Sequence, residues 1–452
     1  LALRRKPHRK RMLEVMDAIS NKLIDEMVKP TRIHKSVYTD SSIFELEMER
    51  IWGQAWIFIG HESQIQKSGD FFTTNINHRE PILMIRDKED CIHVLHNRCA
   101  HKGAKIVEAR TGNVRGALRC GYHGWTYNFD GSILNIPNEE GYKDTGFDVK
   151  DSCNNLQPLA QSDCYRGFVF ATLSSSAPPL RDWLGGAIEC IDNLCDRSPE
   201  GEVELAGGIL RYDHPCNWKF ILENLNDTMH PMVVHQSIVQ AAEDYIKTLP
   251  EEATEHRSEA EIIPPFGASY TNFENSGITG FPFGHHYDGG KTSIHADYTV
   301  FPTYHEAMTK AYGEERTRDI YSFNTHNVLY YPSLTIKCAI QNIRVIRPIS
   351  VDRFIVESWS FRLKGAPEEM LQRTVLYSRL INSSMGMVGP DDLEVYRRMQ
   401  EGLVSSGSDW IEYHRQYGRD KELEDRIVGG GTSDLDMRTQ FGAWKKYMTG
   451  NL

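Results

Sequence analysis

Cys99-Ala100-His101-Lys102-Gly103, followed by Cys120-Gly121-Tyr122-His123-Gly124-Trp125, decides how the first third of the chain reads. Each segment offers one thiolate and one imidazole beside a glycine, so two loops can close four ligands around one centre. Zinc fingers usually present a Cys pair and then a His pair. Mixed pairs leave two readings open, a tetrahedral zinc site or an iron–sulfur centre with two imidazole ligands. Short apolar runs surround the loops: Trp56-Ile57-Phe58-Ile59, Phe71-Phe72-Thr73-Thr74, Ile82-Leu83-Met84-Ile85 and Ile92-His93-Val94-Leu95. Gly, Asn, Asp and Pro separate them, the pattern of a small antiparallel β-domain. It closes near Phe168-Val169-Phe170-Ala171-Thr172-Leu173, and Ser174-Ser175-Ser176-Ala177-Pro178-Pro179 marks a boundary.

On either side the period changes. Met12, Val15, Met16, Ile19 and Leu23 repeat at helical spacing, and Ser42 with Glu45 opens a second helical stretch, so residues 12–54 read as helix. Beyond 176 the patterns mix. An amphipathic segment over 183–195 precedes a strand over 205–214, a helix from Trp218 toward His235, strands over 327–336, 341–348 and 353–363, and a helix-rich charged tail. The Gly- and His-rich stretch 277–295 reads as a long loop. The fold class is therefore α+β: a helical segment (1–54), an all-β domain (55–175), and a larger domain (176–452) built on an antiparallel sheet with helices segregated from it.

Composition narrows the function. With 452 residues, 40% hydrophobic and 25% charged, the chain has a globular rather than a disordered balance. Its net charge of −11 argues against nucleic acid as a partner. No apolar run approaches the ~20 residues that span a bilayer, so no membrane is expected. Leu1-Ala2-Leu3 runs straight into a basic arm without the apolar core of a secretory signal. Nine unpatterned cysteines fit a reducing cytoplasm better than a disulfide framework. No G-x-G-x-x-G fingerprint follows a strand, so a nicotinamide site is expected on another protein.

The second dense polar run is Trp218-Lys219-Phe220-Ile221-Leu222-Glu223-Asn224-Leu225-Asn226-Asp227-Thr228-Met229-His230-Pro231-Met232-Val233-Val234-His235. On a helix Asp227 and His230 share a face at i, i+3. His230 and His235 would be splayed by about 140° on an unbroken helix, so both reach one metal only if the helix ends between them, where Pro231 stands. An open non-haem Fe(II) site takes two His and one carboxylate. Asp392, in Gly389-Pro390-Asp391-Asp392-Leu393-Glu394, is the candidate third ligand, although acids at a helix start also complement the helix dipole. Thr228, Met232 and Val233 are pocket candidates, with 277–295 and 327–334, in a pocket expected to be mostly apolar.

Taken together these segments resemble the catalytic α-subunit of Rieske non-haem iron aromatic ring-hydroxylating dioxygenases. The likeness runs from Tyr38-Thr39-Asp40 to the tail, through Gly60-His61-Glu62-Ser63, Gly69-Asp70-Phe71, Asn97-Arg98-Cys99, Tyr165-Arg166-Gly167-Phe168 and Asn217-Trp218-Lys219 with Glu223-Asn224. Pro390-Asp391-Asp392-Leu393-Glu394 is most similar to the benzoate and toluate branch. Lys102 stands where that family usually has Arg and Gly121 where it has Pro; neither is a ligand. The resemblance implies a Rieske [2Fe–2S] domain before a helix-grip catalytic domain. It implies Cys99, His101, Cys120 and His123 as cluster ligands, and His230, His235 and Asp392 as ligands of a mononuclear Fe(II). It implies that Asp227 links His230 to His123 of a neighbouring subunit, with Asn224 near the iron as a non-ligand. It further implies O2 as co-substrate, NADH acting through a separate reductase and possible ferredoxin, a homotrimer or α3β3 assembly with a small β subunit, and cis-dihydroxylation of an aromatic substrate, with an aromatic carboxylate favoured. A Rieske monooxygenase or demethylase uses the same metals, and a bare electron carrier would need only the first domain.

Overall fold

The computed structural model describes residues 21–250, 262–295 and 301–451; the start of the expected N-terminal helix, Met12 to Ile19, lies outside them. Residues 21–27 are helical, but the chain then turns through a hairpin of β1 (Val28–Lys29) and β2 (Arg32–His34) rather than continuing as helix. Helix α1 (Ser41–Arg50) follows, its first turn closed by Asp40, whose side chain accepts from the Ser42 amide.

The β-domain forms around its two Cys-His loops. Strands β3 (Ile57–His61), β4 (Asp70–Ile76), β5 (Glu80–Arg86), β6 (Ile92–His96), β7 (Thr111–Asn113), β8 (Leu118–Arg119), β9 (Thr126–Tyr127), β10 (Ile133–Asn135), β11 (Gln161–Tyr165) and β12 (Phe168–Thr172) make three small sheets, ordered β6-β5-β4-β7, β10-β9-β8 and β11-β12-β3. The first Cys-His loop leaves β6 and the second joins β8 to β9. Gly103 and Gly124, at φ 76° and 74°, take the left-handed backbone that closes each turn. Phe71, Leu83, Leu95, Leu118, Trp125 and Tyr127 form a core that encloses Cys99 and Cys120.

A nine-stranded antiparallel sheet dominates the rest of the chain. It comprises β13 (Val203–His214), β14 (Ile278–Gly280), β15 (His286–Gly290), β16 (Asn324–Tyr330), β17 (Leu334–Lys337), β18 (Asn342–Ser350), β19 (Arg353–Leu363), β21 (Lys421–Glu422) and β22 (Ile427–Gly429), while β20 (Trp410–Glu412) pairs with β2. Residues 277–295 are thus not one loop: their glycines admit the turns, but β14 and β15 sit inside the sheet between β22 and β16. The expected strand over 327–336 is two strands joined by a turn. The tail carries strands as well as helices, two of which extend the sheet.

Register gives this sheet two unlike faces. Ile336 lies opposite Ile343, and Ile343 opposite Trp359. That face packs on the β-domain, where Trp359 meets Phe58 and Phe72 at ring distances of 5.4 and 5.8 Å. Because successive strand residues point to opposite faces, Thr335, Lys337, Asn342, Arg344, Ser358 and Ser360 share the other, polar face. Helices α2 (Lys219–Asn226), α3 (Pro231–Val234), α4 (Gln236–Thr248), α5 (Glu368–Tyr377), α6 (Gly389–Leu403) and α7 (Leu435–Thr449) are among those of the domain, which also include Ile188–Asp196 and Pro302–Ser322. No helix among the described residues is long and apolar enough to cross a membrane.

A buried polar knot fixes α2. Glu47 accepts from Trp218 Nε1 (2.9 Å), Lys219 Nζ (2.7 Å) and Trp444 Nε1 (2.7 Å), tying α1 and α7 to the start of α2. Asn217 binds the carbonyls of Tyr38 and Val351 and accepts from the Lys219 amide. One turn on, Glu223 accepts from the hydroxyls of Tyr38 (2.9 Å) and Tyr413 (3.0 Å). Burial pushes the Glu223 carboxyl up to about 7, against the pull of those hydrogen bonds and of Lys219. The folded protein therefore keeps a proton that the unfolded chain loses near pH 4.5. This stabilisation is complete below pH 4.5 and falls away as the pH rises through 7. Glu223→Gln is expected to remove that slope: between pH 4.5 and 7.5 the native protein should lose up to about 3 kcal/mol relative to the variant in denaturant unfolding.

Candidate metal centres

The expected helix from Trp218 toward His235 is interrupted, and the interruption builds the site. Helix α2 stops at Asn226; Asp227 is extended (φ −74°, ψ 114°) and its side chain accepts from the Met229 amide in a tight turn. Pro231 then opens α3 at a position where it forfeits no hydrogen bond. His230 precedes that one-turn helix and His235 follows it, before α4 begins. The two rings come to 5.6 Å, at 76° to one another. The proximity of Asp227 to His230 is made by the turn, not by i, i+3 spacing on a helix.

Asp392, in the first turn of α6, meets both rings. Its Oδ1 lies 3.6 Å from His230 Nε2 and 3.3 Å from His235 Nε2. Donor atoms of His230, His235 and Asp392 all lie within 4.8 Å of one another, a grouping that could hold a metal ion. Ligands on adjacent positions of one ion at ~2.1 Å would stand about 3 Å apart, so this donor set fits a divalent metal with small adjustments. Burial works against ionisation of Asp392, but the hydrogen bond from His235 and the two imidazoles outweigh it and hold the carboxyl below its ordinary range.

The outer nitrogens also face acids. Asp227 Oδ2 stands 3.6 Å from His230 Nδ1, and Asp391 Oδ2 stands 3.2 Å from His235 Nδ1. An acceptor behind a ligating imidazole sets its tautomer and direction. Asp391, the other acid of that motif open as an iron ligand on sequence grounds, sits behind His235 rather than in the donor group. Asn224 Nδ2 is 3.2 Å from Asp392 Oδ1 and 3.1 Å from His230 Nε2. Arg415 bonds Asp227 (3.2 Å) and Asp434 (2.5 Å).

The two Cys-His loops bring Cys99 and Cys120 into one buried cluster and set His101 against His123. The His101 and His123 rings are 4.6 Å apart, and His101 stacks on Trp125 at 4.8 Å. His101 Nδ1 is buried without a hydrogen-bond partner, as expected of a nitrogen that serves a metal. Both thiols are buried and Tyr127 Oη lies 3.2 Å from Cys99 Sγ. His123 and its neighbour Tyr122 stand at the exposed edge. Two buried sulfurs and two nitrogens, one of them open to an approaching surface, suit a [2Fe–2S] cluster with mixed ligands.

The cavity beside the His-His-Asp group corrects the expectation of an apolar pocket. Thr228 and Asn327 line it, but Met232 and Val233 do not; Val233 is 67% exposed because α3 turns it outward. Lys337, Arg344, Asp288 and His326 face it instead, beside Phe266, Phe273 and Tyr377. This cavity measures only about 40 Å³, and a second of about 320 Å³, lined by Asn272, Asn275, Thr292 and Ser293, shares Phe273, Asp288, Ile294 and His326 with it. The signal for Arg344 was present in the alternation of Asn342-Ile343-Arg344-Val345, which puts the Arg opposite the apolar face.

Comparison with known proteins places these features in context. Residues 55–151 match the Rieske [2Fe-2S] domain family, and residues 205–426 match the ring hydroxylating alpha subunit (catalytic domain) family. The chain is 30% identical over 429 residues to toluate 1,2-dioxygenase subunit alpha of Pseudomonas putida, covering 92% of this chain and 91% of that one. It is 31% identical over 406 residues to the 2-halobenzoate 1,2-dioxygenase large subunit of Burkholderia cepacia, covering 89% and 83%. Its fold matches a structure of naphthalene 1,2-dioxygenase with indole bound, at a TM-score of 0.76 and 21% identity over 93% of both chains.

Proposed function

The chain belongs to the Rieske non-haem iron ring-hydroxylating α-subunits, and from that premise we propose that it is the oxygenase component that cis-dihydroxylates an aromatic carboxylate with O2 and NADH-derived electrons. The observation that carries this reading is the meeting of His230, His235 and Asp392 beside a cavity that also holds two cationic side chains. The reaction balances as arene plus O2 plus NADH plus a proton giving a cis-dihydrodiol and NAD+. When bound, the cluster supplies single electrons and the iron supplies dioxygen activation.

In this reading the chain's own residues do the rest. Cys99, Cys120, His101 and His123 would hold the cluster, and His230, His235 and Asp392 would hold the iron. Asp391 and Asp227 orient the imidazoles of His235 and His230. Asp227 also links His230 to the exposed His123 of a neighbouring subunit, which makes a homotrimer or an α3β3 ring with a small β subunit the functional assembly. The hydrogen-bond and ion-pair partners of the His-His-Asp group, among the described residues, come from Asn224, Asp227 and Asp391 and none from the Cys-His loops. That separation supports delivery from another subunit. Phe266, Phe273 and Tyr377 offer the faces on which a ring would lie.

A reductase, with or without a ferredoxin, feeds the cluster. The test is turnover of benzoate with NADH, with and without an added reductase. The expected product gains two oxygens and two hydrogens only when the reductase is present. Product formed from NADH by the isolated chain would overturn the division of labour.

A further inference from the structure

We propose that Lys337 and Arg344 form the anion-binding end of the substrate cavity, gripping the carboxylate of the aromatic substrate and so selecting charged arenes over neutral ones. This deepens the proposed function and rests on it.

The first support is placement. Lys337 and Arg344 lie on adjacent strands, diagonal to each other on the polar face, and both line the cavity that contains Asp392, His230 and His235. The second is partnership. Elsewhere the fold meets the cost of a buried lysine directly: Lys219 is fully buried and Glu47 stands 2.7 Å from its ammonium. Lys337 has no carboxylate within ion-pair distance among the described residues; it lies 3.2 Å from His326 Nε2 and 5.5 Å from the centre of the Tyr377 ring. Arg344 sends Nε and Nη2 to one oxygen, Asn382 Oδ1, and its Nη1 has no acceptor among the described residues.

The third support is the charge around them. Burial, with Lys337 and Arg344 close by, holds the His326 imidazole neutral, and burial does the same to His295. Asp227 and Asp288 are the carboxylates besides Asp392 in the cavity lining; Asp227 is paired with Arg415 at 3.2 Å, and Asp288 Oδ1 already accepts from the Asn327 amide. Burial pushes Asp288 up and Lys337 down, each partly offset by the other's charge. With Asp392 committed to a metal and Asp227 paired with Arg415, Lys337 and Arg344 share one remaining acid, Asp288. A carboxylate that docks between an ammonium and an unfilled guanidinium edge completes both. It also points the opposite edge of the ring along the cavity, so a bound arene has one preferred orientation.

The test compares benzoate with toluene, a neutral arene of similar shape, in Lys337→Met, Arg344→Gln and the native holoenzyme. Iron and cluster content are checked first, and Arg344→Lys serves as the conservative variant. Single turnover gives product for each arene, and calorimetry gives benzoate affinity independently of turnover. The native protein is expected to prefer benzoate, and each truncating variant to lower the benzoate-to-toluene ratio of kcat/KM by roughly 100-fold, chiefly through KM. Arg344→Lys should restore part of it. A native protein that prefers toluene, or variants that lose both arenes in equal proportion with full metal content, would overturn the anion site and leave the oxygenase reading standing. A native protein that reduces and reoxidises but converts neither arene, nor binds benzoate, would overturn both.

Discussion

Asp392→Ala is expected to lose the mononuclear iron while keeping the red-brown cluster, taking iron content from about three to about two per chain. The carboxylate faces both Nε2 atoms, at 3.6 and 3.3 Å, and no other acid does so among the described residues. Its neighbour gives the control. Asp391 touches only the outer nitrogen of His235, so Asp391→Asn should keep the iron and weaken its binding by about 10–100-fold, the range for an outer partner. Turnover should vanish in the first variant and fall in the second. If iron stays in Asp392→Ala and leaves in Asp391→Asn, the two acids exchange roles.

The second large effect is expected at a residue that binds no metal. Asp227→Asn keeps an oxygen that can accept from His230, so both centres should stay filled. What is lost is the charge that Arg415 grips at 3.2 Å and, in the proposed assembly, the link to His123 of the next subunit. Coupled product formation is expected to fall at least about 100-fold while the cluster still takes electrons from dithionite. Normal product formation would remove Asp227 from the path. A fall accompanied by loss of iron would make it a support for His230 alone.

Much of this was legible in the residues because ligand chemistry is local. Two Cys-His loops, each bent by a left-handed glycine, announce their centre within a few positions of sequence. His230 and His235 were harder. Their spacing defeats a continuous helix, and Pro231 flagged the break, but only the structure shows that Asp227 already lies outside α2 and reaches His230 through a turn. Asp392 could be named from its resemblance to a family motif; that it rather than Asp391 meets both rings depends on the angle at which α6 arrives. The cavity was misjudged because its polar wall is assembled across strands. Lys337 and Arg344 are neighbours through the pairing of β17 with β18, a register no local pattern states. For the same reason β14 and β15 read as loop: three-residue and glycine-rich strands hold their place through partners on both sides, not through their own propensity.

In the proposed function this chain, reduced, adds both atoms of one O2 to an aromatic carboxylate. A single turnover of the chemically reduced holoenzyme with benzoate under ¹⁸O₂, read by mass spectrometry, tests it without any reductase. One product carrying two labelled oxygens is expected, formed as the cluster reoxidises. One labelled oxygen would contradict it and make the protein a monooxygenase, and reoxidation with no oxygenated benzoate would remove the aromatic carboxylate as its substrate.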